Sequence, residues 1–393
     1  MIIQGFSFSA VEAAIKKPGR KDLALIYSEV PAVAAAVFTT STVKAAPVLV
    51  SSEHIASGFA QALIVNSGNA NACTGEQGMK VALETVHSVA SALGIDSTAV
   101  QVCSTGVIGV QMPVERVQAA IPALVNGLTD GTLDDIAQAI MTTDTFPKME
   151  VISCQVNGVQ YSVAGIAKGA GMIMPNMATM LSFIITDAAV EPAFLKQTFR
   201  SAVDNSFNAI TVDGDTSTND TCLILANGMA GNSLITDGTE EGNSFAIILN
   251  NVLLSLAKQI VKDGEGATKF IEIKVSGAKN DLDAKRAAMA IANSSLVKTA
   301  FFGQDANWGR IFAAVGYSGA EVDQSLLSLS FDDVCMARNG IFAGEDAEAR
   351  GTEVLKQKDI TVTVDLGIGI GAATVYTSDL THEYVSINAD YRS

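Results

Sequence analysis

The stretch Lys168-Gly-Ala-Gly-Met-Ile-Met-Pro-Asn-Met-Ala178-Thr179-Met180-Leu181-Ser-Phe-Ile-Ile185 sets a small residue before a hydroxyl residue and an apolar, strand-like run after it. That arrangement suits a chain that cuts itself in front of Thr179. The hydroxyl attacks the preceding carbonyl, the amide shifts to an ester, and water releases two chains. The new N-terminal Thr then holds a nucleophile and its own base. A free α-amino group titrates near roughly pH 7.7–8.0, so it can take the hydroxyl proton without a histidine. The same local pattern also describes a buried turn entering a core strand, and short motifs are matched by chance often.

Working outward, 393 residues suit one large domain with a smaller one, and 48% hydrophobic residues supply a sizeable core. The charge, 25 minus 41 or −16, repels phosphate backbones, which argues against nucleic acid and anionic membranes as partners. Apolar runs are broken by Ser, Thr, Asn and Gly before 18 residues, and the first ten residues lack the basic start of a signal peptide. Five scattered cysteines with no CxxC read as reduced thiols in a cytoplasmic protein, with Cys103 more naturally structural than catalytic.

Periodicity predicts a mixture of elements. Ser9 and Glu12 read as a capping box for a helix over 10–17, stopped by Pro18-Gly19. Strands are expected at 23–27, 33–38, 60–65 and 100–103, and a helix from Thr74 to Gly94. Residues 113–124 read as a helix that Pro122 bends or breaks, and 151–163 as a hairpin around Asn157-Gly158. A long amphipathic helix over 245–261 precedes a strand at 270–275, and further strands are expected at 360–364 and 374–376. The order is neither all-β nor regular βαβ, and suits an α+β layered sandwich. The turn-rich segment 277–283 divides a domain over 1–280 from a smaller one over 281–393.

Several chemistries can be weighed. Three histidines, His54, His87 and His382, show no zinc spacing, and no GxSxG elbow accompanies them. No metal site and no bound cofactor are expected. Gly367 to Ala372 matches GxGxxA, but a strand follows it where a nucleotide fold needs a helix. The run Asp213 to Asp220 is rich in oxygen ligands but lacks EF-hand spacing, and reads as a hydrogen-bonded turn. Thr105-Gly106 follows a strand and is a candidate oxyanion turn, against an ordinary strand-to-loop turn. Lys168 could bind a carboxylate and Glu265, between two glycines, an ammonium; a solvated lysine and a plain loop are the alternatives. The Asn66–Asn71 loop leads toward a helix N-terminus, which favours anions.

Read together, these residues resemble the ornithine acetyltransferase family, the bifunctional glutamate N-acetyltransferases of arginine biosynthesis. The likeness runs through Gly5-Phe6, Val65 to Gly75, Ser104 to Gly109, Met141 to Thr145, Lys168 to Met172, Met177 to Leu181, Asp213 to Asn219, Asp263 to Thr268, Asp305 to Arg310 and Asn388 to Ser393. The resemblance implies a layered α/β/β/α sandwich, related in logic to N-terminal-nucleophile hydrolases, with a smaller C-terminal α+β domain. It implies cleavage between Ala178 and Thr179 into chains 1–178 and 179–393, with two copies of each in the assembly. It makes Thr179 the acyl-accepting nucleophile and Thr105 with Gly106 the oxyanion donors. Thr142, Lys168, Thr179, Glu265, Asn388 and Ser393 would bind the amino-acid substrates, with Thr143 and Thr145 standing beside Thr142. The implied substrates are N-acetylornithine and glutamate, and acetyl-CoA stays open as a co-substrate. The rival readings are an N-terminal-nucleophile aminopeptidase or amidase, and a non-enzymatic amino-acid-binding protein.

Overall fold

The computed structural model describes residues 3–174 and 180–389. Ala178, Thr179 and Ser393 therefore lie outside the described residues. The chain forms two compact units, Met1–Asn208 with Asp215–Ile260, and Ala209–Gly214 with Val261–Ser393.

The first unit is built on eight strands: β1 (Phe6–Val11), β2 (Leu23–Phe38), β3 (Phe59–Asn66), β4 (Val100–Ser104), β5 (Lys148–Val156), β6 (Val159–Lys168), β7 (Leu181–Thr186) and β8 (Thr221–Ala226). Their order is β4-β3-β2-β8-β7-β6-β5, with β1 also paired to β2. The long strand β2 belongs to two layers. Its first half pairs with β1 and β3, and from Val33 it pairs with β8, across a register shift between Tyr27 and Ala32. Pro31 sits inside that shift, where a missing N–H breaks no regular ladder.

Alternation along each strand sorts residues between faces. Ala24, Ile26, Leu63 and Val65 from one half share a core with Ala164, Ile166, Phe183 and Leu223 from the other. The intervening Leu23, Leu25, Ala62 and Ile64 pack against residues of the helices Ala46–His54, Gly75–Leu93 and Val114–Asn126. On the far side, Gly165 makes room for Val252 and Leu256 of the helix Glu240–Lys262. The result is the expected α/β/β/α sandwich, and burial of both faces explains why its strands read as continuous apolar runs. The helix Glu240–Lys262 is long and apolar enough to cross a membrane, yet its Leu249, Val252, Leu253, Leu256 and Ile260 are fully buried within the protein.

Three local expectations change. The segment with the Ser9–Glu12 capping pattern is β1 and a loop, not a helix over 10–17. Ser9 is paired with Leu25 and buried, while the Glu12 carboxylate accepts the Gly19 N–H at 3.0 Å. The Asp22 carboxylate closes the loop by accepting the N–H groups of Ala13 and Ile15 at 2.7 and 2.6 Å. Sheet pairing and one buried acid thus outweigh a local helix signal. The two strands expected at 23–27 and 33–38 are one. The helix Val114–Asn126 is not broken at Pro122, and Ile121 and Leu124 beside it are buried in the core.

The second unit has a six-stranded sheet: β9 (Phe270–Ala278), β10 (Ser328–Phe331), β11 (Val334–Arg338), β12 (Ile341–Phe342), β13 (Asp359–Asp365) and β14 (Gly371–Ser378), in the order β12-β11-β10-β13-β9-β14. The sequence reading placed the division at 280, but the strand β9 before it lies between β13 and β14 in this sheet. The units therefore divide at Ile260, ahead of β9. The GxGxxA segment joins β13 to β14, strand to strand.

Candidate active site

Three loops at the ends of β3, β4 and β6 build the first part of the site. The Thr105 N–H donates to the Asn66 carbonyl at 3.0 Å, so the Thr105 contribution to any oxyanion falls to its hydroxyl. Gly106 has φ of 135°, and a Cβ there would overlap the backbone of Gly68 and Asn69. Only glycine allows this close approach.

Asparagine amides lace the loops together. Asn66 Nδ2 donates to the Asn69 carbonyl at 2.9 Å, and the Ser104 hydroxyl donates to Asn66 Oδ1 at 2.6 Å. Asn219 donates to the carbonyls of Ala70 and Ser104 at 2.6 and 2.9 Å. Asn71 Oδ1 accepts the Thr74 hydroxyl, so Thr74 does not cap the following helix with its side chain. The Asn66–Asn71 loop thus serves as internal bracing of the oxyanion turn, and the oxygen-rich run ending at Asp220 contributes its Asn219 to the same bracing.

Lys168 ends β6, is buried, and brings its Nζ to 3.5 Å from the Thr105 hydroxyl. Two carboxylates flank it. Asp144 accepts the Thr142 N–H at 2.9 Å, the Gly169 N–H at 2.6 Å and the buried Lys148 ammonium at 2.7 Å. Burial alone would raise the Asp144 pKa, but the charges of Lys168 and Lys148 and these hydrogen bonds hold it at about 2. Asp220 accepts the Met180 N–H at 2.8 Å through Oδ1. Complete burial pushes its pKa well above the usual range, against the opposing pull of the Met180 N–H and Lys168.

Thr105, Gly106, Thr142 and Lys168 are therefore brought together within the first unit, with Asp144 linking Thr142 to the Lys168–Gly169 backbone. Thr142 lines an open cavity of about 570 Å³ with Arg20, Lys21, Gln138, Met141, Asp144 and Pro147; Thr143 and Thr145 do not line it. Glu265 and Asn388 meet within the second unit, where Asn388 Nδ2 donates to Glu265 Oε2 at 2.8 Å. Gly266 follows at φ of 67°, a position where a Cβ would press on the backbone of Tyr384 in the helix His382–Ala389. Cys103 is a core residue, its thiol pushed up to about 12 by burial. Sequence reasoning missed Asp144 and Asp220 as site residues, although both lie in or beside quoted motifs. Nothing in the spacing tells that Asp144 is buried, or that Asp220 is the enclosed acid of a run that also holds Asp213 and Asp215.

Comparison with known proteins places the chain in a family. The ArgJ family profile matches residues 7–393. The chain belongs to the ArgJ family. Its curated relatives include the arginine biosynthesis bifunctional protein ArgJ of Geobacter sulfurreducens, 66% identical over 393 residues and covering all of both chains. The protein of the same description from Syntrophotalea carbinolica is 55% identical, covering 100% of this chain and 99% of that one. Among solved structures, the ArgJ of Bacillus halodurans is 43% identical with a TM-score of 0.52, covering 54% of this chain and 99% of its own. The ArgJ family membership thus extends over both units and every candidate site residue.

Proposed function

We propose that this protein transfers acetyl from N-acetylornithine to glutamate through an acetyl-Thr179 intermediate, in arginine biosynthesis. The observation that carries the reading is the braced Thr105–Gly106 turn with Lys168 beside it, in a chain whose full-length relatives are named arginine biosynthesis bifunctional protein ArgJ. Cleavage before Thr179 frees its amine as the base. The Thr179 hydroxyl attacks the acetyl carbonyl, the Thr105 hydroxyl and Gly106 amide hold the developing oxyanion, and ornithine leaves with the proton. Glutamate's amine then attacks the ester, which yields N-acetylglutamate and restores the hydroxyl. Lys168 binds the substrate carboxylate and Glu265 its ammonium, and Thr142, Asn388 and Ser393 also bind the amino-acid substrate. Acetyl-CoA serves as a second acyl donor.

Cleavage gives chains of 178 and 215 residues that assemble two of each in the cytoplasm. The solved Bacillus halodurans chain matches 54% of this chain along almost its whole length, the size expected of the 179–393 product (215 of 393, about 55%). Thr179→Ala should remain one chain on a denaturing gel and lose transfer by about four orders of magnitude or more. Incubating the wild type with N-acetylornithine, with and without glutamate, checks the reaction. N-acetylglutamate formation is expected, and acetate released equally in both samples would point to a hydrolase instead.

A further inference from the structure

The Glu265 carboxylate is buried, and among the described residues it accepts a hydrogen bond from Asn388 and pairs with no cation. Its loop is gripped by the chain that leaves β14. Asp379 accepts the N–H groups of Thr268 and Lys269 at 2.8 and 3.0 Å, and the Thr268 hydroxyl as well. The Thr381 hydroxyl donates to the Gly266 carbonyl at 2.7 Å. Asn388 is held separately. Its helix, His382–Ala389, carries Tyr384, whose hydroxyl donates to Asp213 at 3.2 Å. The two halves of the Glu265–Asn388 pair thus lean on two aspartates, and one cation acts on both. Lys298, in the helix Ser295–Phe302, is 3% exposed. Its ammonium donates to the Thr377 hydroxyl at 2.9 Å, to the Ser378 hydroxyl at 3.4 Å and to the Ser378 carbonyl, one residue before Asp379. Burial pushes this ammonium down to about 8, against the opposing charges of Asp379 and Asp213. Lys269 is a contrast in the same unit, a buried lysine whose ammonium is spent on the Leu355 and Gln357 carbonyls at 2.7 and 3.2 Å.

We infer that Lys298 is a positioning residue: its ammonium fixes the segment Thr377–Asp379 and, through Asp379 and Asp213 together, sets the geometry in which Glu265 and Asn388 receive a substrate ammonium. The inference rests on the proposed transfer between amino acids and deepens it, by naming what holds the ammonium-binding pair in place. Burying an ammonium against hydroxyls and a carbonyl is costly, and a neutral donor would serve those partners at less expense of solvation. What a neutral donor cannot do is favour two nearby acids as carboxylates. A carboxylate accepts the Thr268, Lys269 and Tyr384 donors more strongly than a neutral acid does. Loss of the Lys298 charge should therefore loosen both halves of the pair at once, while Thr105, Gly106 and Lys168 belong to the other unit and keep their own bonds.

The test uses the cleaved, full-length enzyme with N-acetylornithine and glutamate. Lys298→Met keeps the aliphatic stem and should raise KM for both substrates about tenfold, with kcat within about threefold and self-cleavage unchanged. In a Glu265→Gln background the carboxylate to be positioned is gone, so adding Lys298→Met should raise KM by less than about twofold more. Lys269→Met also loses a buried ammonium and should leave both KM values within about twofold. Tyr384→Phe removes the hydroxyl that Asp213 accepts and should raise KM about threefold. It decides the matter where Lys298→Met yields no folded enzyme, and unchanged KM in Tyr384→Phe would then overturn the inference. So would unchanged KM in folded Lys298→Met, a loss confined to kcat, an equal shift in Lys269→Met, or full multiplication of the two effects in the double variant. With wild-type transfer intact, each of these outcomes leaves the proposed function standing. Absence of wild-type transfer from N-acetylornithine to glutamate would instead remove that function, and the role of Lys298 with it.

Discussion

In the first unit the ionisable groups of the site are sunk in the sandwich: Lys168 and Lys148 are buried, Asp144 has two backbone donors and a lysine, and Asp220 is completely enclosed. In the second, Glu265 is buried, but its partner Asn388 is exposed on the helix His382–Ala389 near the end of the chain. Under the proposed function, the difference suits two tasks. Buried, multiply bonded charges cannot reorganise, which is what stabilising a developing oxyanion requires. An exposed amide on a terminal helix costs little to move, which suits a group that admits and releases a substrate. The variants below act on one side of this contrast at a time.

The largest effect is expected at Thr105. Its amide is already bonded to Asn66, so Thr105→Ala removes the only donor the residue can offer an oxyanion, and also the partner of Lys168. A loss of about 100- to 1000-fold in kcat is expected, with KM changed much less. Thr105→Ser keeps the hydroxyl and should recover activity to within about tenfold of wild type. Steady-state kinetics of both variants checks this. Equal losses in the two would place the role in the Thr methyl group and its packing.

Asp144 and Asp220 sharpen the contrast within the first unit, because Lys168 attracts both but their pKa values move apart. The Asp144 pKa is depressed to about 2, below an ordinary value of 3.8. Its stabilisation is therefore present above pH 4 and is lost as pH falls from about 4 toward 2. By linkage this amounts to about 2 kcal/mol. Asp144→Asn removes the carboxylate charge that both Lys148 and Lys168 attract and should destabilise by about 3 kcal/mol at neutral pH, with a flatter acid limb. Asp220 has the opposite sign. Its folded pKa is raised, so its contribution favours folding at low pH and is lost as pH rises above the unfolded carboxyl value toward the folded one. Asp220→Asn, neutral at all pH, should remove that decline. Urea denaturation of the wild type and both variants between about pH 2 and 8 measures both slopes, and parallel curves for the two would contradict the assigned surroundings.

The layered fold was legible because strands buried on both faces leave continuous apolar runs, as in Leu23–Tyr27 and Leu181–Ile185, and because the helix starting after Thr74 repeats its apolar residues at three to four positions. The start of the chain misled for the converse reason. Ser9 and Glu12 have the spacing of a cap, but spacing is silent about Asp22, whose carboxylate organises the loop from a position no helix could reach. The division into units was obscured in the same way, since β9 joins its sheet through β13, some ninety residues later in the chain. In the site, Thr105-Gly106 and Lys168 stood out by chemical type and their position after strands. Asp144 and Asp220 did not, because burial is a property of the whole packing, and the run around Asp220 also offers Asp213 and Asp215 with equal appearance.

The smallest effect belongs to the exposed side of the contrast. Asn388→Ala removes one hydrogen bond to Glu265 but leaves the carboxylate, its charge and the glycines on either side of it in place. A hydrogen bond to a charged group contributes roughly 1.5–3 kcal/mol when fully formed and desolvated, and the exposure of Asn388 places the expected loss at the low end. KM for N-acetylornithine and for glutamate should rise about tenfold, with kcat within about threefold and self-cleavage unchanged. Glu265→Gln keeps the shape and removes the charge, so it should raise the same KM values further, because a neutral amide cannot attract a substrate ammonium. If Asn388→Ala lowered kcat as much as Thr105→Ala does, the terminal helix would be acting on the transition state, and the separation between a fixed charge-stabilising turn and a yielding substrate clasp would fail.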